Sequence, residues 1–314
     1  MRRHILLTAV LAALGLASAS AQRDAHFRAR SDLVVLDVSV TDGRGEFVGG
    51  LPRPAFQIFD EGRLQELSFF AEQDAPATIA LLIDGSGSMV ENKARVIAAI
   101  TGFALASHPE DQYLPLVFNE RLTPVLPADR RFTDDVEELR TALTLNLNAH
   151  GRTAFHDALS QTIDGLAEGR HERRALIVLS DGGDNASHAT FDQVLEKVQA
   201  SNVLIYSIAL LDPLNRDQNP KALRRLAEAT GGLSFEPHRI SAIGAVLGSI
   251  AADIRSRYTL AYAPPDGGDK ADGRLHHIRV TAQAPDRSRL KVRTRTGYIA
   301  TAAQRAEESS EDRK

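Results

Sequence analysis

The stretch Ile79-Ala80-Leu81-Leu82-Ile83-Asp84-Gly85-Ser86-Gly87-Ser88-Met89 decides the fold. An apolar run of this length, stopped by Asp-Gly, has the length of a strand rather than a helix and reads as one buried on both faces. A helical pattern follows over residues 89–107, with Val96, Ile100 and Phe103 on one face. Strand, short polar turn and helix make the opening unit of a parallel sheet. The same texture continues to about residue 256. Leu114 to Phe118 reads as a strand, and Leu122 to Leu126 as an edge strand because it contains Pro124. Helices are expected from Val136 to Leu143 and from Phe155 to Leu166. Leu176 to Leu179 and Val203 to Tyr206 are two more buried strands, separated by a helix carrying Phe191, Val194, Leu195 and Val198. A helix near Leu223 to Ala229 stops at Thr230-Gly231-Gly232. A short strand at Leu233 to Phe235 and a last helix over Ile243 to Ile254 complete the region. Residues 76–256 are therefore expected to form an α/β domain, doubly wound around a mostly parallel sheet.

Both flanks read differently. Val34, Leu36, Val38 and Val40 alternate with more polar neighbours, a half-buried strand pattern. Asp42-Gly43 marks a turn, and strand-like runs begin at Phe56 and Leu67. After the α/β region the alternation returns at Tyr258, Leu260 and Tyr262, then at Ile278 and Val280, then at Leu290 and Val292. Neither flank alone has enough strands for stability. Residues 22–75 and 257–300 are expected to pair into one small β-sandwich module from which the α/β domain is inserted. Residues 301–314 are polar and charged, the composition of a disordered tail.

Arg2 and Arg3 precede an apolar run from Ile5 to Ala17, and Ala19-Ser20-Ala21 supplies small residues at a cleavage point. This layout predicts a secretory signal peptide over residues 1–21, cleaved after about Ala21. The run is shorter than the roughly 20 residues of a spanning helix, and no later segment is long and apolar enough to span. The expected destination is a periplasm or the outside of the cell. The chain has no cysteine, so neither a disulfide framework nor a lipid-modified N-terminal cysteine is available. A net charge of −4 leaves no basic field for nucleic acid or an anionic membrane.

Asp84-Gly85-Ser86-Gly87-Ser88 sits where ligands bind in a doubly wound sheet, at the carboxyl end of the first strand. One reading is a turn with a helix cap, for which Asp, Ser and Gly are ordinary choices. A second is a dinucleotide loop, but Val90 replaces its third glycine and Asp84 would oppose a pyrophosphate. A third is a metal site, in which alternate residues present one carboxylate and two hydroxyls to a common point. Oxygen ligands suit a hard cation, Mg²⁺ above all, with Mn²⁺ or Ca²⁺ as substitutes, and such ions need further oxygens from other loops.

Asp84-Gly-Ser86-Gly-Ser88 resembles the D-x-S-x-S motif of the von Willebrand factor A family, whose fold is Rossmann-like. That family completes a metal-ion-dependent adhesion site with a threonine from a middle loop and an aspartate after a later strand. The resemblance maps these onto Thr153, in Gly151-Arg152-Thr153-Ala154-Phe155, and Asp181, in Leu179-Ser180-Asp181-Gly182. It thus implies a metal site of Asp84, Ser86, Ser88, Thr153 and Asp181. Arg152 departs from the pattern, since many members carry a second glycine there. Val35 to Asp42, Phe56 to Gly62, Tyr258 to Tyr262 and Arg295 to Tyr298 look like an exported bacterial, acidobacterial-type subfamily described as VWFA-related.

The resemblance implies a protein-binding, adhesion-type role, the cation capturing an Asp or Glu carboxylate of a protein partner. Two alternatives stay open: a metal-assisted hydrolase, and a scaffold whose metal only stabilises it. Hydrolysis would want a general base near the metal, and His150, His156 and Asp157 are the nearby candidates. Asp157 also suits the start of its helix, while Asp184 and Asn185 read as turn residues, with contact to the metal ligands from behind as the alternative. His276 and His277 point to opposite faces of a strand, and no G-x-S-x-G is present. The expectation is a binding module without catalytic residues.

Overall fold

The computed structural model describes residues 33–72, 74–85, 92–147, 151–211, 216–264, 273–284 and 289–300. The expected signal peptide, Ser86, Ser88, His150, residues 89–91 of the expected first helix and residues 301–314 lie outside the described residues.

The N-terminal flank forms β1 (Val34–Thr41), β2 (Phe56–Asp60), β3 (Arg63–Gln65) and β4 (Leu67–Glu72). The α/β region starts with β5 (Thr78–Asp84), helix α1 (Lys93–Ala106), β6 (Gln112–Phe118), β7 (Leu122–Pro124), α2 (Val136–Asn146) and α3 (Phe155–Leu166). It continues with β8 (Arg174–Ser180), α4 (Phe191–Ala200), β9 (Val203–Ala209), α5 (Pro220–Thr230), β10 (Ser234–Phe235) and α6 (Ile243–Arg255). The C-terminal flank adds β11 (Tyr258–Tyr262), β12 (Leu275–Ala282), β13 (Lys291–Arg293) and β14 (Gly297–Ile299).

The buried runs assemble into a six-stranded sheet of order β10-β9-β8-β5-β6-β7. Its neighbours are parallel except β6 and β7. Every residue of β5 is buried. Ile79, Leu81 and Ile83 face a core completed by Val96, Ile100 and Phe103 of α1, Leu139 and Leu143 of α2, and Leu247 and Ile250 of α6. Ala80 and Leu82 face the other core, with Phe155 and Leu159 of α3, Val194 of α4 and Leu223 of α5. Burying each such Val, Leu, Ile or Phe contributes about 1.5–3 kcal/mol, so the two cores dominate what holds the sheet. The chain leaves β5 first toward β6 and later crosses to β8 on the opposite side. That reversal opens a crevice above the carboxyl ends of β5 and β8.

Two boundaries differ from expectation for local reasons. The edge strand ends at Pro124, which has no N–H to offer the ladder; Val125 N–H instead donates to the Pro115 carbonyl at 3.1 Å. Helix α5 begins at Pro220, ahead of Leu223, because Asn219 caps it by accepting from Ala222 N–H at 3.1 Å and proline suits the first helical position.

The flanks interleave. One four-stranded sheet has the order β13-β1-β11-β4 and the other β14-β12-β2-β3, and every pairing is antiparallel. Their shared core contains Leu36, Val38, Ile58, Tyr258, Leu260, Tyr262 and Val280. Buried tyrosines keep partners for their hydroxyls: Tyr262 donates to Asp60 Oδ2 at 2.8 Å, and Tyr258 donates to the Val48 carbonyl at 2.9 Å.

A polar knot ties this sandwich to the α/β domain. Asp253, near the end of α6, accepts from Tyr206 OH and from Arg257 Nη2, each at 2.6 Å, from Ser39 Oγ at 3.1 Å, and from Arg293. Arg257 is 1% exposed and also donates to the Gly231 carbonyl at 3.0 Å. Burial pushes the Asp253 carboxyl upward, but the guanidiniums of Arg257 and Arg293 outweigh it and hold the group well below the usual carboxylate range.

Gly231 closes α5 in the left-handed region, at φ 79°. A Cβ there would lie 2.4 Å from the backbone carbon of Thr294. Gly231→Ala is expected to lose about 2–4 kcal/mol, from the left-handed backbone and the forced separation of the two modules. Urea unfolding would measure it, and a loss below half a kilocalorie would show that the junction yields at little cost.

Candidate metal centre

Strand β5 delivers Asp84 to the crevice. Its register with β6 sets Asp84 beside Phe118, and the ladder runs one step further through Gly85 N–H donating to the Phe118 carbonyl at 2.7 Å. On the other side Ile83 pairs with Leu179, so Ser180 comes alongside Asp84. Ser180 Oγ donates to Asp84 Oδ2 at 2.6 Å and accepts from Gly182 N–H at 3.0 Å. Asp84 is only 2% exposed, so its carboxylate forms the floor of the crevice rather than a surface charge.

Asp181 follows β8 directly. Its Oδ1 accepts from Gly183 N–H at 2.8 Å, and its carbonyl accepts from Asn219 N–H at 2.9 Å. Gly182 must be glycine: its φ is 76°, and a Cβ would meet the Asn219 carbonyl oxygen at 2.5 Å. The loop over residues 216–219, which the sequence reading did not single out, thus backs the Asp181 turn.

Thr153 precedes α3 and is tied to the Asp181 loop rather than to its own helix. Its N–H donates to Asn185 Oδ1 at 3.0 Å, while its carbonyl accepts from Asn185 N–H at 2.9 Å and Ala186 N–H at 3.1 Å. Ala154 N–H donates to the Asn119 carbonyl at 2.8 Å, which anchors the same loop to the end of β6. The loops bearing Asp84, Thr153 and Asp181 are therefore cross-braced at one edge of the sheet. Ser86 and Ser88, expected to join them, lie outside the described residues.

Of the residues considered as general bases, His156 and Asp157 have other partners. His156 Nδ1 lies 3.2 Å from the Ala189 carbonyl and 3.3 Å from Asp184 Oδ2. Asp157 accepts from Ala189 N–H at 2.9 Å and His188 N–H at 3.0 Å. Partial burial pulls the Asp157 carboxyl upward, but these two N–H groups prevail and leave it below its ordinary range. Asp157 is thus a loop brace as well as an acidic residue in the first turn of α3. Asp184 is also more than a turn residue, since it accepts from His156 N–H at 2.8 Å and Ser187 N–H at 3.1 Å. His276 stacks on Tyr298 with ring centroids 5.0 Å apart, inside the sandwich and away from the crevice.

The von Willebrand factor type A domain model matches residues 78–247, the stretch that builds the six-stranded sheet and its crevice. The chain belongs to the von Willebrand factor type A domain family. No curated protein matches it. Among solved structures, a von Willebrand factor type A protein from Catenulispora acidiphila is 13% identical, covering 85% of this chain and 73% of that one, with a TM-score of 0.47. Proximal thread matrix protein 1 from the mussel byssus is 14% identical over 62% of this chain and 50% of its own, with a TM-score of 0.49. A form of that mussel protein with a zinc-occupied MIDAS motif is 14% identical, covers 62% and 49%, and has a TM-score of 0.45.

The donor chemistry around the crevice of the type A domain fits a hard cation. Asp84, Asp181 and Thr153 offer carboxylate and hydroxyl oxygens, the ligand types of Mg²⁺, Mn²⁺ and Ca²⁺. Among the described residues no three His, Cys, Asp or Glu side chains cluster as a metal-holding group of their own. Among the described residues no helix is long and apolar enough to cross a membrane.

Proposed function

We propose that this type A domain protein is an exported, metal-dependent binding module. Asp84, Ser86, Ser88, Thr153 and Asp181 would hold one divalent cation, Mg²⁺ by ligand hardness. The observation that carries the reading is the bracing of the Asp84, Thr153 and Asp181 loops at one edge of the sheet. The network pre-organises oxygen donors that are far apart in sequence. A bound cation supplies a Lewis-acidic position for an anionic oxygen of a partner.

The chain's own residues set how that position behaves. Two carboxylates among three hydroxyl donors leave the centre electron-poor enough to favour an incoming Asp or Glu side chain. Ser180 holds Asp84 in place with a hydrogen bond to its Oδ2. His156 and Asp157 already serve the loop framework, which supports binding rather than turnover. Export rests on the Arg2–Ala21 leader pattern, and the similarity to the exported acidobacterial-type VWFA-related proteins rests on the flanking strand motifs.

Chelation tests the reading. A peptide bearing Asp or Glu is expected to bind the mature chain with Mg²⁺ or Mn²⁺ present, and its Asn or Gln counterpart is not. Adding a chelator should remove binding, and restoring the cation should return it. Ser86→Ala and Ser88→Ala should each lower binding at least tenfold without loss of the fold. Affinity that persists after chelation would sink the mechanism.

A further inference from the structure

Thr153 has both of its main-chain polar groups bound to one short segment of the neighbouring loop. Its N–H donates to the side chain of Asn185, and its carbonyl accepts from the main-chain N–H groups of Asn185 and Ala186. Among the described residues no hydrogen bond uses its hydroxyl. The residue is thus clamped from two sides, with only the side-chain oxygen left to point toward another group.

Asn185 is itself held in place. Its carbonyl accepts from the Arg152 guanidinium. Its Nδ2 lies 3.5 Å from Asp217 Oδ2. One step earlier in the chain, Asp184 accepts from His156 N–H in the first turn of α3. An amide suits this position, since it accepts toward Thr153 N–H with one atom and donates toward the Asp217 carboxylate with the other. Asn185 also belongs to the loop that carries Asp181. A displacement of either loop is therefore transmitted to the other through this side chain.

We propose that Asn185 is a positioning residue of the metal centre, which fixes the Thr153 hydroxyl relative to Asp181 and so sets the affinity for the cation. The inference rests on the reading of Thr153 as a donor to that cation. Groups that orient ligands from behind commonly change metal affinity by roughly 10- to 100-fold when removed. Asn185 supplies none of the proposed ligand atoms itself, so its effect should pass through Thr153.

The test is a titration of the mature chain with Mn²⁺ alone, followed by calorimetry and by the spin signal of the free ion. Asn185→Ala is expected to bind Mn²⁺ about 10- to 100-fold more weakly than the unaltered chain. Asn185→Asp combined with Asp217→Asn keeps the acceptor for Thr153 N–H, the hydrogen bond between positions 185 and 217 with its polarity reversed, and the net charge, and should bind within about threefold of it, the rescue that a positioning role requires. Combining Asn185→Ala with Thr153→Ala should weaken binding no further than Thr153→Ala alone, because the two act as one unit. Melting in chelator reports the fold independently; if Asn185→Ala fails to fold, Asn185→Ser, whose shorter side chain withdraws the acceptor, takes its place. Unchanged affinity in Asn185→Ala, or penalties that add in the double variant, would overturn the proposal while leaving the metal centre intact. Failure of the unaltered chain to take up Mn²⁺, or full affinity in Thr153→Ala, would instead remove the metal-centre reading and the proposal with it.

Discussion

Asp84→Ala is expected to abolish cation binding, with affinity lowered by more than about 100-fold, since even groups behind the ligands are worth 10- to 100-fold. Partner binding should disappear with it. Asp84 is the most buried of the described candidate ligands and sits on the floor of the crevice, so no neighbouring side chain can replace it. The fold should survive. Ser180 Oγ loses one acceptor but still accepts from Gly182 N–H. In chelator the variant should therefore still melt in a cooperative transition. With saturating Mg²⁺ only the unaltered chain should melt higher than it does in chelator, because only it gains stability from a ligand bound to its native state. Calorimetric titration and paired melting curves give both readouts. Normal cation affinity in this variant would remove Asp84 from the centre.

The second large effect belongs to the polar knot between the modules. Asp253→Ala leaves Arg257 buried without its carboxylate, and breaking such a pair from one side costs roughly 3–5 kcal/mol. Tyr206 and Ser39 lose an acceptor in the same step. Urea unfolding would measure the loss, and a value below about 1 kcal/mol would mean that the knot does not hold the junction. Its pH dependence has a defined sign. The Asp253 carboxyl lies well below its unfolded value, so its contribution is complete above about pH 4 and is lost only as pH falls through the folded value. Between pH 5 and 8 the difference between Asp253→Ala and the unaltered chain should therefore stay flat as far as this group decides it.

The fold was legible because its strands are short apolar runs and its helices are punctuated. Leu176 to Leu179 needs burial on both faces, and Gly231 ends a helix wherever it stands after one. The site was legible only where residue type and position coincide with strand ends, as at Asp84 and Asp181. The role of Asn185 and Asp184 stayed open because short polar residues after a strand suit any turn; what distinguishes them is a partner about thirty positions earlier in the chain. Ser180 escaped for a related reason. A serine at the end of an apolar run carries no local sign that it will face a carboxylate on the adjacent strand. The 216–219 loop was silent until α5 was seen to begin at Pro220, which turns Asn219 from a linker residue into a cap that also backs Asp181. Arg257 follows a helix with nothing local to mark it, and only the sandwich folded over it makes it a core residue.

Strands β4 and β11 are antiparallel neighbours, and Glu72 pairs with Tyr258. In topological terms the whole type A domain, residues 73–257, occupies the place of a hairpin turn. An unfolded segment of that length would keep the two strands apart, and closing it costs entropy that grows with the logarithm of its length. Once the inserted domain folds, its two ends stand side by side at the foot of the sheet and the strands are delivered to each other in register. The folded guest thus lowers the entropy cost of joining β4 to β11, and the sandwich draws on the stability of the domain inserted into it.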